Sequence, residues 1–427
     1  MNRDIGLPPL RVEQALRLLP DVDALGPLRA FLLSTSHGGE AVEPYRTVGK
    51  RHLQPADLRA LVPRAVAQVG AHLTALYQAA VDALEAEQRD DPAGAVRALL
   101  TAGELEEKGA HGTQARAWYD HALRIAEALR DRRPEITALR RLGHLEAGRD
   151  GAEPAARFYQ RSLAIAEAEL DQEGAARACL GLGTVALAQD KWQGAESWFR
   201  RGLQCGAENR VLLGRLHLGL GDAARGRGQL AAAADRLAQA RELFEESGHS
   251  TGLVHVLNLS AQLDLLRERR ADALATFREA LARLQVAGEE PRLEIAIRLN
   301  ICLLYFDWGR LPDAEDELRA AEETAVVSNA TRDLARLYLM RGRVRGRLGD
   351  DTGFVFFERA IDLCRGPEPA PRLEAEAYLE YGLFRKQTND LDEARAYMER
   401  AREILEAVGN GPLLARIDAE LAQLPGG

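Results

Sequence analysis

Small and bulky apolar residues return along this chain with a period of about forty residues. The second helix of each period carries a small residue, Ala115, Ala155, Ala195, Ala233, Ala273, Ala314, Gly353 or Ala394. Four positions on stands a bulky apolar one: Tyr119, Tyr159, Phe199, Leu237, Phe277, Leu318, Phe357 or Met398. Three further on comes another small one: Ala122, Ser162, Gly202, Ala240, Ala280, Ala321, Ala360 or Ala401. Twelve positions before the first of these lies a small residue of the first helix, Gly103, Gly143, Gly183, Gly221, Ala261, Cys302 or Gly382. Gly342 takes this place in the seventh period, which is one residue short in its turn. Spacings of three and four place side chains on one face of a helix. Small residues let two helices approach closely, and the bulky one fills the gap beside them. Each pair buries only part of its apolar face alone, so neighbours must stack on it. The pattern therefore predicts eight helix pairs over residues 93–410.

Punctuation agrees with the period. Polar or glycine turns separate the helices of each pair, at Ala110-His111-Gly112, Asp150-Gly151, Asp190-Lys191, Gly228-Gln229, Arg269-Arg270, Gly309-Arg310, Gly349-Asp350 and Asn389-Asp390. Prolines mark several connections between pairs, as at Asp131–Pro134, Gly288–Pro291, Gly366–Pro371 and Gly409–Pro412. Ahead of the array, Pro9 to Leu19 and Val22 to Leu33 have helical periodicity, Ser34 to Gln54 reads as a loop, and Ala56 to Arg89 returns to a helical pattern. Ala83-Leu84 lies thirty-nine residues before Ala122-Leu123, which suggests a degenerate repeat acting as an N-terminal cap. Pro412 to Leu424 predicts a helix that covers the last pair. The expected division is an N-terminal segment and cap over residues 1–89, a solenoid over 90–411, and a C-terminal capping helix and tail over 412–427.

The order small, turn, small, bulky, small resembles the tetratricopeptide repeat, in its forty-residue rather than its thirty-four-residue form. The resemblance covers residues 93–410. It implies an all-α, right-handed superhelical solenoid of about eight such pairs with capping helices at both ends, its first helices lining a concave face. Two features depart from the family pattern. The aromatic three residues after the first-helix glycine occurs only as Tyr305, and the proline that ends the second helix is mostly absent.

Composition narrows the function. The net charge of −9 argues against general nucleic-acid binding. Lysine occurs only at Lys50, Lys108, Lys191 and Lys386, so nearly all cations are arginine. No run is long and apolar enough for a membrane span, and the N-terminal residues lack an apolar stretch of signal-peptide type. The four cysteines lack CxxC spacing and suit a reducing cytoplasm. No phosphate loop, dinucleotide fingerprint, nucleophile elbow or metalloprotease motif is present. The histidines are scattered, so neither catalysis, nor a metal, nor any other cofactor is expected.

Candidate binding residues come from the register. Positions six before, two before and one after the small first-helix residue would face the concave side. They place Arg97, Arg177, Arg215, His255 and Arg336 in one row, Arg141 and Asn300 in a second, and His144, Asp222, Gln262 and Arg343 in a third. Asn258, Arg140, Arg225, Arg347 and Lys386 lie close by on the same helices. Arginine forks suit carboxylates, and amides suit peptide main chain. The competing reading is that these arginines pair with acids of neighbouring repeats. The Arg341, Arg343, Arg345, Arg347 run spreads over more than one helix face and lacks aromatic interleaving. Lysine and asparagine clamps for chaperone tails are absent, since Leu100, Leu180 and Leu218 hold one of the required positions. The expectation is a non-enzymatic adaptor binding a protein or peptide, an acidic segment among the options, with self-association open. The alternative is a regulatory sensor, because forty-residue arrays resemble the ligand-sensing parts of bacterial transcription, phosphatase and secretion regulators.

Overall fold

The computed structural model describes residues 71–108, 112–148, 151–287, 290–328, 330–366, 369–408 and 411–424. The expected helices over Pro9 to Leu33, the loop from Ser34 and residues 56–70 lie outside these. The described residues form eighteen α-helices. α1 is Ala71–Gln88, and eight pairs follow: α2 Pro92–Lys108 with α3 Gly112–Leu129, α4 Arg132–Gly148 with α5 Ala152–Ala168, α6 Gln172–Ala188 with α7 Trp192–Gln204, and α8 Arg210–Gly226 with α9 Leu230–Glu246. The array continues with α10 Ser250–Leu266 and α11 Arg270–Ala287, α12 Pro291–Asp307 and α13 Leu311–Val327, α14 Thr331–Arg347 and α15 Gly353–Cys364, and α16 Pro371–Gln387 and α17 Leu391–Val408. α18, Gly411–Ala422, ends it. The chain divides into two compact units, one taking in residues up to Glu146 with Glu153–Leu182, the other Ala147–Ala152 with the residues from Gly183 onward.

Many helix ends follow one local rule. A residue at positive φ leaves the helix, and the next amide turns back to a carbonyl five residues earlier. Asp190 at φ 57° precedes the Lys191 N–H, which donates to the Ala186 carbonyl at 2.9 Å. Gly228 and Gln229 repeat this on Ala224, and Asn389 and Asp390 on Arg385. Orphan carbonyls at the helix ends are thereby satisfied without long loops.

The phased positions are where the helices touch. Tyr119, Phe199, Phe277 and Phe357 are at most 1% exposed, and Tyr159 is 5% exposed. A methyl group on Gly342 would stand 2.7 Å from the Phe357 ring, and one on Gly143 would stand 3.1 Å from Tyr159. Tyr159 also meets Gly181 of the following first helix, as Phe199 meets Gly219. Tyr159 and Phe199 are thus each held between the glycine of their own pair and a glycine of the next, which is how stacking completes a core that one pair lacks.

Candidate partner-binding surface

The first helices share an exposure pattern. At the position six before the small residue, Arg97, Arg215, His255, Ala296, Arg336 and Glu376 are exposed, and Thr137 and Arg177 are half-buried. From α6 onward both flanking residues are buried in every first helix, as Val254 and Val256 are beside His255. A water-facing row therefore runs along the first helices within each unit, set by the 3.6-residue period against the buried faces.

In the first unit the arginines of this row are mostly engaged locally. Arg97 lies 4.0 Å from Asp91, and Arg177 pairs with Glu173 one turn earlier. Arg141 bonds Glu104 and lies 3.6 Å from Glu107. Glu107 also accepts from the Tyr119 hydroxyl at 2.8 Å and meets His144 Nδ1 at 2.5 Å. Burial pushes the Glu107 carboxyl up, but His144, Tyr119 and Arg141 outweigh it and hold it below its ordinary range.

The second unit mixes charge with amides. Asn300 Nδ2 donates to Asn258 Oδ1 at 3.0 Å, joining α12 to α10; Asn258 is buried and Asn300 half-buried. Gln262 is half-buried one turn from Asn258. His255 is exposed yet crowded by protein, and this desolvation, with the charges of Arg215 and His249, pushes its imidazole down to about 4. Arg215 is exposed. Arg336 lies 3.3 Å from Asp333. Arg343 lies 3.5 Å from Glu380 and stacks over Phe306 at 5.3 Å.

The remaining arginines of the local run are tied inward. Arg341, 7% exposed, pairs with Glu315 at 3.0 Å and Glu322 at 2.5 Å, and Arg345 meets Glu315 and Asp350. Arg347 stacks on Phe306. The run cross-links α13, α14 and neighbouring aromatics rather than forming one cationic face. Lys386 likewise bonds Glu420, and Arg225 bonds Asp222.

Sequence reasoning missed the acids of the same rows. Glu376 occupies in the eighth repeat the position that Arg336 holds in the seventh, and Glu104 occupies in the first the position of His144 in the second. Their register carried the signal, as it did for Asp222 in the third row. Among the described residues no group of three or more His, Cys, Asp or Glu is placed to hold a metal ion, and no helix is long and apolar enough to cross a membrane. Cys179, Cys302 and Cys364 are buried and form no disulfide among the described residues, and burial pushes the Cys302 thiol up to about 12.

No family model and no curated protein matches the chain. Solved structures do. The aspartyl phosphate phosphatase F from Bacillus subtilis is 10% identical, with a TM-score of 0.50 over 95% of this chain and 97% of its own. The apo quorum sensor NprR from B. thuringiensis is 13% identical, with a TM-score of 0.45 over 75% of this chain and 98% of its own. A tetratricopeptide repeat protein from Parabacteroides merdae is 17% identical, with a TM-score of 0.42 over 67% and 97%. At these identities the likeness is one of fold. The likeness to phosphatase F and the phased glycine and aromatic contacts make the architecture of the described residues an all-α solenoid of tetratricopeptide-like helix pairs.

Proposed function

We propose that the first-helix face formed by this row and the amides beside it binds an extended segment of a protein or peptide partner, and that the chain acts as an adaptor with no chemistry of its own. The Asn258–Asn300 pair carries this reading. Asn258 stands at a position that most repeats fill with leucine, so its amide is not what the packing asks for. Its bond to Asn300 leaves the Asn258 amide hydrogens and the Asn300 carbonyl oxygen unengaged among the described residues. One donor and one acceptor side by side match the alternating groups of a peptide main chain. His255 and Gln262 on α10 and Arg215 on the preceding first helix, α8, supply side-chain selectivity. Because Arg97, Arg177, Arg336 and Arg343 already have acidic neighbours, they contribute less to affinity than unpaired cations would.

The test uses hexapeptides selected by display on the full chain. Asn258→Leu combined with Asn300→Leu removes both amides and leaves an apolar pair that suits the array. Affinity is expected to fall by about tenfold or more, the value of two lost hydrogen bonds. Unchanged affinity in a folded double variant rejects the site. Small-angle scattering with and without peptide separates the two roles: an unchanged profile fits an adaptor, and a compacted or reassembled one fits a regulatory sensor.

A further inference from the structure

Three positions before the small residue of the first helix, six repeats carry leucine: Leu100, Leu180, Leu218, Leu299, Leu339 and Leu379, all buried or half-buried. Two repeats depart. Asn258 is one, and its amide is bonded to Asn300. Arg140 on α4 is the other, half-buried, with no hydrogen bond or ion pair to any described residue. Its neighbour Arg141 turns to Glu104 and Glu107 of the preceding repeat. Arg140 stands one turn before Gly143, and Arg177, itself bonded to Glu173, one turn before Gly181, the glycines on either side of the ring that carries the Tyr159 hydroxyl. That hydroxyl is also without a hydrogen bond among the described residues, although its ring is packed against Gly143 and Gly181. Burial, then the charges of Arg141 and Arg177, hold the Arg140 guanidinium below its ordinary range. A half-buried cation at a leucine position with no ion pair of its own is unfavourable in the empty protein, although Glu104 attracts it at longer range. One anion would reverse that. Its oxygens would accept from the Arg140 fork and from the Tyr159 hydroxyl, with Arg177 adding charge.

We propose that Arg140, Tyr159 and Arg177 form a subsite for a carboxylate. The subsite rests on the segment-binding reading for the bearer of that carboxylate, which is either the C-terminus or an acidic side chain of the bound segment.

Arg140→Leu is the informative variant, because it restores the residue six other repeats use. The full chain and this variant are melted in glutarate and in chloride at matched ionic strength. Wild type is expected to gain a saturable rise in melting temperature in glutarate over chloride. Arg140→Leu should show none, and should melt in chloride no lower than wild type. An equal glutarate response in the variant, or no response in wild type, overturns the subsite. If Arg140→Leu loses its helical circular dichroism, Tyr159→Phe replaces it, and an undiminished glutarate response in that variant is equally fatal. The displayed hexapeptides are then compared with amidated forms and with Asp and Glu changed to Asn and Gln. A loss of about tenfold or more on amidation identifies a terminal carboxylate, and the same loss on neutralising acids identifies a side chain. Peptides that need the asparagine pair but ignore Arg140→Leu and both changes leave the main reading standing and reject the subsite. A glutarate response with no peptide binding does the reverse.

Discussion

At the scale of single residues, the array depends on glycines that meet rings. Gly342 leaves no room for a methyl group beside Phe357, so Gly342→Ala must shift a ring that is itself 1% exposed. The expected cost is about 1–3 kcal/mol, the usual penalty for overpacking. Gly194, in α7, meets only the Lys191 Cβ at 3.9 Å. Gly194→Ala should therefore stabilise the helix by about 0.5–1 kcal/mol through propensity alone. Chemical denaturation of the two variants checks the contrast; equal effects would mean that the glycine register is not a packing register. The same logic distinguishes paired from unpaired arginines. Arg341 is buried with Glu315 and Glu322, so its charge is compensated, whereas Arg140 forms no ion pair among the described residues and feels Glu104 only at longer range.

At the scale of helices, ends and caps decide where each element starts. α10 begins on His249, whose Nδ1 accepts the Gly252 amide at 2.9 Å while its ring lies 5.4 Å from Phe244. Protonation of Nδ1 would destroy this cap and place a positive charge at a helix N-terminus, which the helix dipole disfavours. Desolvation and Arg215 hold His249 below its ordinary value despite the opposing charge of Glu290, and the same two influences act on His255 in α10. Both histidines are thus favoured neutral in the fold. Their stabilisation is complete above the unfolded value near 6.5 and is lost as pH falls through each folded value, which lies below 6.5 for His249 and at about 4 for His255. Melting temperature should fall across that window. His249→Asn with His255→Gln, which keeps a cap acceptor and removes both titrations, should flatten the profile. A double variant with the parent's pH dependence would assign the acid sensitivity to other groups.

At the scale of the whole molecule, stability is a sum over neighbouring repeats rather than a property of one core. The final helix matters most to the pair it covers. Ile417 is fully buried and Leu424 6% exposed within the last core cluster, and Lys386–Glu420 at 2.9 Å and Arg416–Glu380 at 3.0 Å tie α18 to α16. Ile417 alone contributes about 1.5–3 kcal/mol through burial. Ending the chain at Val408 should leave α16 and α17 with poor hydrogen-exchange protection and make the protein self-associate, while α2 to α5 keep theirs. A monodisperse truncation with undiminished protection in α16 and α17 would show that the eighth pair needs no cover.

The sequence by itself determined the repeat. Eight registers of small and bulky residues placed the helix pairs, their turns and the rings between them, because close helix packing tolerates few residue types at contact positions. The site was only half legible. The row of exposed first-helix positions followed from the period, and Arg97, Arg177, Arg215, His255 and Arg336 do stand in it. Whether a cation there is available was not in the pattern. Arg141 reaches thirty-seven residues back to Glu104, and Asn300 forty-two back to Asn258. Such partners are set by the stacking of one repeat on the next, and long side chains choose among several neighbours within reach. Stacking alone sets most of these arginines against acids and Asn258 against Asn300, and leaves Arg140 with no ion pair or hydrogen bond among the described residues.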